Sequence, residues 1–201
     1  NKVSSNCNKE YFLNIQKKID KKKNAIIIFG GRFQLFFENS PFNDREGNKE
    51  LNVEFINQNK FIKDDGTTDI KNSFKDYVEK ISKKNKIILI YPFPENAYHV
   101  PRKLFKSYFI GKNIKSSENF LTTSYEVYLE RSKSSYSLLN SIDGKNIFRV
   151  YPHEVFCNTI INNRCITHDA NNLFYEDSNH LSISGAKNFN KILINKINEI
   201  N

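Results

Sequence analysis

The sequence predicts an α/β fold, a three-layer α/β/α sandwich around a central parallel sheet. Three short, largely apolar runs have strand length: Ala25-Ile26-Ile27-Ile28-Phe29, Ile87-Ile88-Leu89-Ile90-Tyr91 and Asn146-Ile147-Phe148-Arg149-Val150-Tyr151. The stretches between and around them carry apolar residues at helical spacing. The resulting order is helix, strand, helix, strand, helix, strand, helix. Strands joined through helices pair in parallel by right-handed crossovers.

Residues 10–22 read as a helix with Phe12, Ile15 and Ile19 on one face. The run at 25–29 is β-branched and wholly apolar, which suits a strand covered on both faces. Gly30-Gly31 ends it. Residues 38–67 are polar, contain Pro41, Gly47 and Gly66, and read as a long excursion. Thr68 or Asp69 then caps a second helix, whose stripe is Ile70, Phe74, Tyr77, Val78 and Ile81. After the second strand, Pro92, Pro94 and Pro101 bracket an irregular loop. A third helix runs from about Ser124 to Leu139 through Tyr125, Tyr128, Leu129, Ser132 and Tyr136. The third strand follows at 146–151. The last helix runs from about Ser182, its N-cap, to Asn198, with Ala186, Phe189, Leu193 and Ile197 facing inward. Ligands of such sheets bind beyond the carboxyl ends of the strands. Here those ends are Gly30-Gly31-Arg32, Pro92 to Glu95, and the stretch from Pro152 onward.

The 201 residues suit one domain, with 38% hydrophobic and 13% aromatic residues to build a core. Mean hydropathy is −0.61. No run of about 18 apolar residues occurs, so no membrane span is expected. The chain opens on Asn1 without a recognisable leader, and is expected to be a processed product or an N-terminally truncated domain. Net charge is +9. Lys, Asn and Ile abound throughout, so the charge reads as a compositional bias and not as a nucleic-acid footprint. Arg, which favours bidentate phosphate recognition, is scarce. His99, His153 and His168 lack partners at ligand spacing, so no metal is expected. Cys157 and Cys165 lie eight apart in a polar loop. They are either a local disulfide, implying an oxidising compartment, or two free thiols. Cys7 is the odd one out.

The chemistry-bearing stretch is Phe174-Tyr175-Glu176-Asp177-Ser178-Asn179-His180-Leu181-Ser182-Ile183-Ser184-Gly185-Ala186. In a turn, a spacing of three lets the Asp177 carboxylate reach the near nitrogen of the His180 imidazole. The far nitrogen is then free to take a proton from a hydroxyl. Alone, Asp-x-x-His fits a surface turn as readily as a catalytic pair. What distinguishes the whole string is the aromatic lead-in, the pair, Leu-Ser, and Gly-Ala opening an amphipathic helix.

This string resembles the last block of SGNH (GDSL-like) esterases and acyltransferases. It is closest to the SGNH domain fused behind membrane acyltransferase-3 proteins, which O-acetylate bacterial surface polysaccharides. Ile28-Phe29-Gly30-Gly31-Arg32-Phe33 resembles that subgroup's strand ending in small residues, Arg and an aromatic. Tyr91-Pro92-Phe93-Pro94-Glu95 with His99-Val100-Pro101 resembles its Pro-Glu loop, and Cys157 with Cys165 its paired cysteines. The resemblance spans roughly residues 7 to 195 and implies a single SGNH-like domain over 1–201, flavodoxin-like in its layering. Two departures stand out. No Gly-Asp-Ser occurs, so the nucleophilic serine and the first strand are expected upstream of Asn1. The Gly-x-Asn block has no clear counterpart, Asn96 being one candidate.

The resemblance implies acyl transfer, acetyl in the first instance, to hydroxyls of a cell-surface polysaccharide or lipopolysaccharide sugar. Asp177 and His180 would serve the upstream serine. The Gly31 N–H is the candidate oxyanion donor beside Gly30, although the two glycines also suit a plain strand-to-loop turn. Arg32 reads either as a holder of an acidic sugar or carboxylate, or as one half of a salt bridge. Glu95 reads either as a substrate contact or as a solvated loop charge. No cofactor is implied within the domain; an acetyl donor such as acetyl-CoA would be used by an N-terminal transmembrane acyltransferase domain of the same polypeptide. The implied location is the periplasmic or extracytoplasmic face of a bacterial inner membrane. A secreted carbohydrate esterase with the same triad, or a non-catalytic glycan-binding module, are the alternatives.

Overall fold

The computed structural model describes residues 9–38, 41–50 and 70–201. Cys7, the cap at Thr68 or Asp69, and residues 39–40 and 51–67 of the excursion lie outside the described residues. In chain order the elements are α1 (Lys9–Asp20), β1 (Ile26–Phe29), α2 (Phe33–Glu38), α3 (Ile70–Ser82), β2 (Lys86–Ile90) and α4 (Val100–Phe109). There follow β3 (Thr122–Ser124), α5 (Tyr125–Ser141), β4 (Ile147–Val150), α6 (His153–Phe156), β5 (Arg164–Ile166) and α7 (Ile183–Ile200).

β1, β2 and β4 form one parallel sheet in the order β1-β2-β4. Its register sets Ile28 against Ile88 and Ile88 against Phe148. Successive residues of β2 point to opposite faces, as the pleat requires. Ile87 and Leu89 pack with Val78 and Ile81 of α3 and Leu139 of α5. Ile88 packs on the other face with Phe156 of α6 and Phe189 and Ile200 of α7. Helices therefore cover both faces of the sheet, giving the three layers expected.

The coverage of β1 is less complete than its composition predicts. Ile27 and Phe29 join the α3 side of the core, but Ile28 is 42% exposed. Among the described residues β1 pairs only with β2. A run of β-branched residues reads alike in a central strand and at an edge, so the pattern could not separate the two cases. On α1, only Ile19 reaches the core, whereas Phe12 and Ile15 remain exposed.

Four features escaped the sequence pattern. α2 and α6 are too short to show a helical period. α4 begins where the prolines imply an irregular loop, yet Pro101 sits in its first turn, where a missing N–H costs nothing. β3 and β5 are three-residue strands that pair antiparallel as a separate small sheet. α5 starts at the expected place and is capped by Ser124, whose Oγ accepts from the Val127 N–H.

Cys157 and Cys165 are joined as a disulfide. Both are buried beside Tyr128, while residues 158–160 and 162–163 between them are exposed, so the polar loop stands and only its two cysteines enter the core. By loop-closure entropy, an eight-residue separation is worth about 2 to 3 kcal/mol. The Cys157→Ser/Cys165→Ser variant is expected to lose that much in urea unfolding. An unchanged midpoint would contradict this account.

Candidate active site

The stretch from Phe174 to Ala186 folds as a turn and then a helix, each held by its own side chains. Asp177 Oδ1 accepts the backbone N–H groups of Asn179 at 2.7 Å and His180 at 2.8 Å. This is an Asx turn, which a short carboxylate closes readily. Ser182 caps α7, its Oγ accepting from the Gly185 N–H and donating to the Leu173 carbonyl. The Phe174 carbonyl lies over Gly185, only 2.1 Å from where a Cβ would stand.

With Oδ1 engaged by the backbone, Asp177 Oδ2 lies 2.6 Å from His180 Nδ1. The carboxylate accepts there, so Nδ1 carries the proton and Nε2 keeps its lone pair. Nε2 has no hydrogen-bond partner among the described residues, and the ring is 70% exposed. Burial alone would raise the Asp177 carboxyl. The N–H groups of Asn179 and His180, together with the His180 ring, outweigh it and hold the group below its ordinary value. Its charge therefore persists through the neutral range. Any stability it adds is present above the ordinary carboxylate pKa and is lost as pH falls through the lowered folded value.

The loop after β2 fixes this turn at the carboxyl end of the sheet. The Asn96 N–H donates to the Ser178 carbonyl at 2.9 Å, and the Val100 N–H to the Asp177 carbonyl at 3.1 Å. Buried Tyr175 donates its hydroxyl to the Pro94 carbonyl at 2.9 Å. The result is a cleft of about 480 Å³ lined by Gly30, Gly31, Arg32, Phe93, Glu95 and His180, among others.

One wall of the cleft is an ion-pair network. Glu95 is 3% exposed, and its two oxygens take Arg32 Nε at 2.5 Å and Arg131 Nε at 2.8 Å. Arg32 Nη2 also reaches Glu50 at 2.5 Å. Burial opposes the charge on Arg32, but Glu50 and Glu95 more than offset it and raise its pKa. The salt-bridge reading of Arg32 is thus realised. Glu95 is not a solvated loop charge: both its oxygens are committed to arginines, and it acts on the cleft by holding Arg32. Asn96 is 2% exposed, its Oδ1 accepts from Thr123 Oγ1, and it is not among the residues that line the cleft.

The model described as "SGNH domain (fused to AT3 domains)" matches residues 1–195. The chain belongs to the SGNH domain family. A solved structure, the periplasmic domain of the lipopolysaccharide acetyltransferase of Salmonella ser. Paratyphi A, is similar over 88% of this chain and 84% of that one. The identity is 18% and the TM-score 0.46. No curated protein matches. Membership in the family supports an acyl-transferring enzyme in general terms.

Within this SGNH domain the structure gathers Gly30, Gly31, Arg32, Glu95 and His180 at one cleft, with Asp177 behind the imidazole. Three further residues escaped sequence reasoning. Glu50 lies in the long excursion, Arg131 on α5, and Gln34 is buried with its amide donating to the Phe93 carbonyl at 3.1 Å. None carries a local motif; each matters through a partner distant in sequence. His153 bonds Tyr136, and His168 Nε2 accepts from the Leu121 N–H, so both serve the fold. Among the described residues no group of three or more His, Cys, Asp or Glu could hold a metal ion.

Proposed function

We propose that this SGNH domain transfers an acyl group, acetyl in the first instance, to a hydroxyl of a cell-surface polysaccharide or lipopolysaccharide sugar. The nucleophilic serine is carried on a segment upstream of Asn1. The observation that supports this most is the His180–Asp177 couple, with Nε2 open at the mouth of a parallel sheet. In the first half-reaction His180 Nε2 takes the serine proton as Oγ attacks the acyl carbonyl. The oxyanion forms against the Gly31 N–H, and His180 returns the proton to the departing group. In the second, His180 takes the proton of a sugar hydroxyl as that oxygen attacks the acyl-serine, and then reprotonates the serine. Asp177 keeps the ring oriented throughout. Arg32 Nη1, which has no partner among the described residues, is the atom offered to the sugar.

The side of β1 away from β2, unpaired among the described residues, supports an upstream origin for the serine. A further strand added there in parallel would end beside Gly30 and the cleft, and would cover Ile28. The acetyl donor, acetyl-CoA, would be used by a transmembrane acyltransferase domain of the same polypeptide, with this domain on the periplasmic face of the membrane. Because the His180 ring is largely exposed, water can compete with the sugar, so an esterase is the second reading.

The test compares two forms of the protein. The 201-residue chain is expected to hydrolyse p-nitrophenyl acetate no faster than its His180→Ala variant. The longer chain with its upstream Gly-Asp-Ser is expected to acylate a polysaccharide acceptor. Turnover by the short chain that depends on His180 would place the nucleophile within these 201 residues. Hydrolysis by the long chain that acceptor sugars never divert would favour the esterase.

A further inference from the structure

The face of α4 that points away from the core is built unlike a solvated helix. Phe105, Tyr108, Phe109 and Ile110 are 65%, 64%, 79% and 70% exposed. Phe105 and Phe109 lie one turn apart and stack with ring centroids 6.3 Å apart. With Lys103, Lys106, Ser107 and Ile110 they line a hollow of about 440 Å³. The helix itself needs none of them for the core: among its residues only Val100 is buried. A contiguous exposed patch of this kind marks an interaction surface.

The charge around the patch specifies the partner. Residues 100–116 contain Arg102, Lys103, Lys106, Lys112 and Lys115 and no acidic residue. Lys103 is tied back to Asn48 and lies over the Tyr98 ring, which fixes the helix to the body of the protein. Arg102, Lys106, Lys112 and Lys115 are exposed around the aromatic patch. Exposed aromatic and aliphatic side chains interleaved with cations suit the interface of an anionic bilayer, where rings enter the headgroup layer and ammonium groups meet phosphates. A second copy of this chain is a poor occupant, because the contact would set two such cationic faces against each other in a protein of net charge +9.

We infer that α4 docks this domain onto an anionic lipid surface through Phe105, Tyr108, Phe109 and Ile110, with Lys106 and Lys112 on the headgroups. The inference stands on α4 alone and does not depend on acyl transfer. It is tested by co-sedimenting the 201-residue chain with vesicles of phosphatidylcholine, with and without phosphatidylglycerol. Binding is expected to the phosphatidylglycerol vesicles and to weaken with salt. Phe105→Ser/Phe109→Ser is expected to weaken it about tenfold or more, as is Lys106→Glu/Lys112→Glu, with thermal unfolding unchanged because all four positions are exposed. Equal binding by the Phe105→Ser/Phe109→Ser variant would assign the attraction to overall charge and overturn the inference. So would equal affinity for both vesicle types, no binding to either, or a lipid-free dimer that this variant dissolves.

Discussion

Replacing His180 by alanine in the chain that carries its serine is expected to lower the turnover number for acyl transfer by about six orders of magnitude. The expectation follows from position. Nε2 is the basic atom of the dyad that faces the cleft, and Asp177 commits its remaining oxygen to Nδ1. Without the ring the serine keeps its proton and the leaving group receives none. The fold should register the change little, because the ring is largely exposed and it is the backbone N–H of His180, not the ring, that closes the Asp177 turn. The measurement is therefore paired: turnover at saturating acceptor, and the urea midpoint. A loss of less than tenfold with an unchanged midpoint would remove His180 from the chemistry. A large loss accompanied by unfolding would show that the turn, and not the base, had been removed.

The second large effect concerns stability. Gly185→Ala is expected to destabilise the domain by about 3 kcal/mol or more, read as a fall in the urea midpoint. The added Cβ would stand 2.1 Å from the Phe174 carbonyl oxygen, 3.0 Å from its carbonyl carbon and 3.1 Å from its Cα. All three are backbone atoms and cannot rotate away. The same strand of chain leads into buried Tyr175 and receives the Ser182 N–H on that carbonyl, so it has little room to retreat. Moving it would also shift the Asp177 turn. A midpoint within experimental error of the parent would mean that the contact relaxes freely.

The helices and strands that were legible in sequence are those whose burial is periodic. β2 alternates between two cores, and α3 and α7 present one stripe each, so pattern and packing coincide there. The dyad was legible because the Asx turn and the helix cap close locally: the bonds from Asp177 to Asn179 and His180, and from Ser182 to Gly185, span three residues or fewer. The opposite wall was not. Glu95 meets Arg32 and Arg131 across 63 and 36 residues, and Arg32 meets Glu50 across 18. Nothing in the spacing of those residues marks them as partners. α4 was hidden for a different reason: its outward face is apolar and its loop is rich in proline, so neither the period nor the punctuation pointed to a helix.

Among the described residues, the charges on the wall opposite the imidazole are paired. Arg32 and Arg131 are matched by Glu50 and Glu95 within hydrogen-bonding distance. The protein as a whole carries a net charge of +9, yet both arginines of this wall are already seated on carboxylates. An acidic sugar approaching Arg32 would meet two carboxylates already seated on that guanidinium and would have to displace one or be repelled by both. An uncharged hydroxyl incurs no such penalty, so under the proposed acyl transfer this wall favours a neutral acceptor.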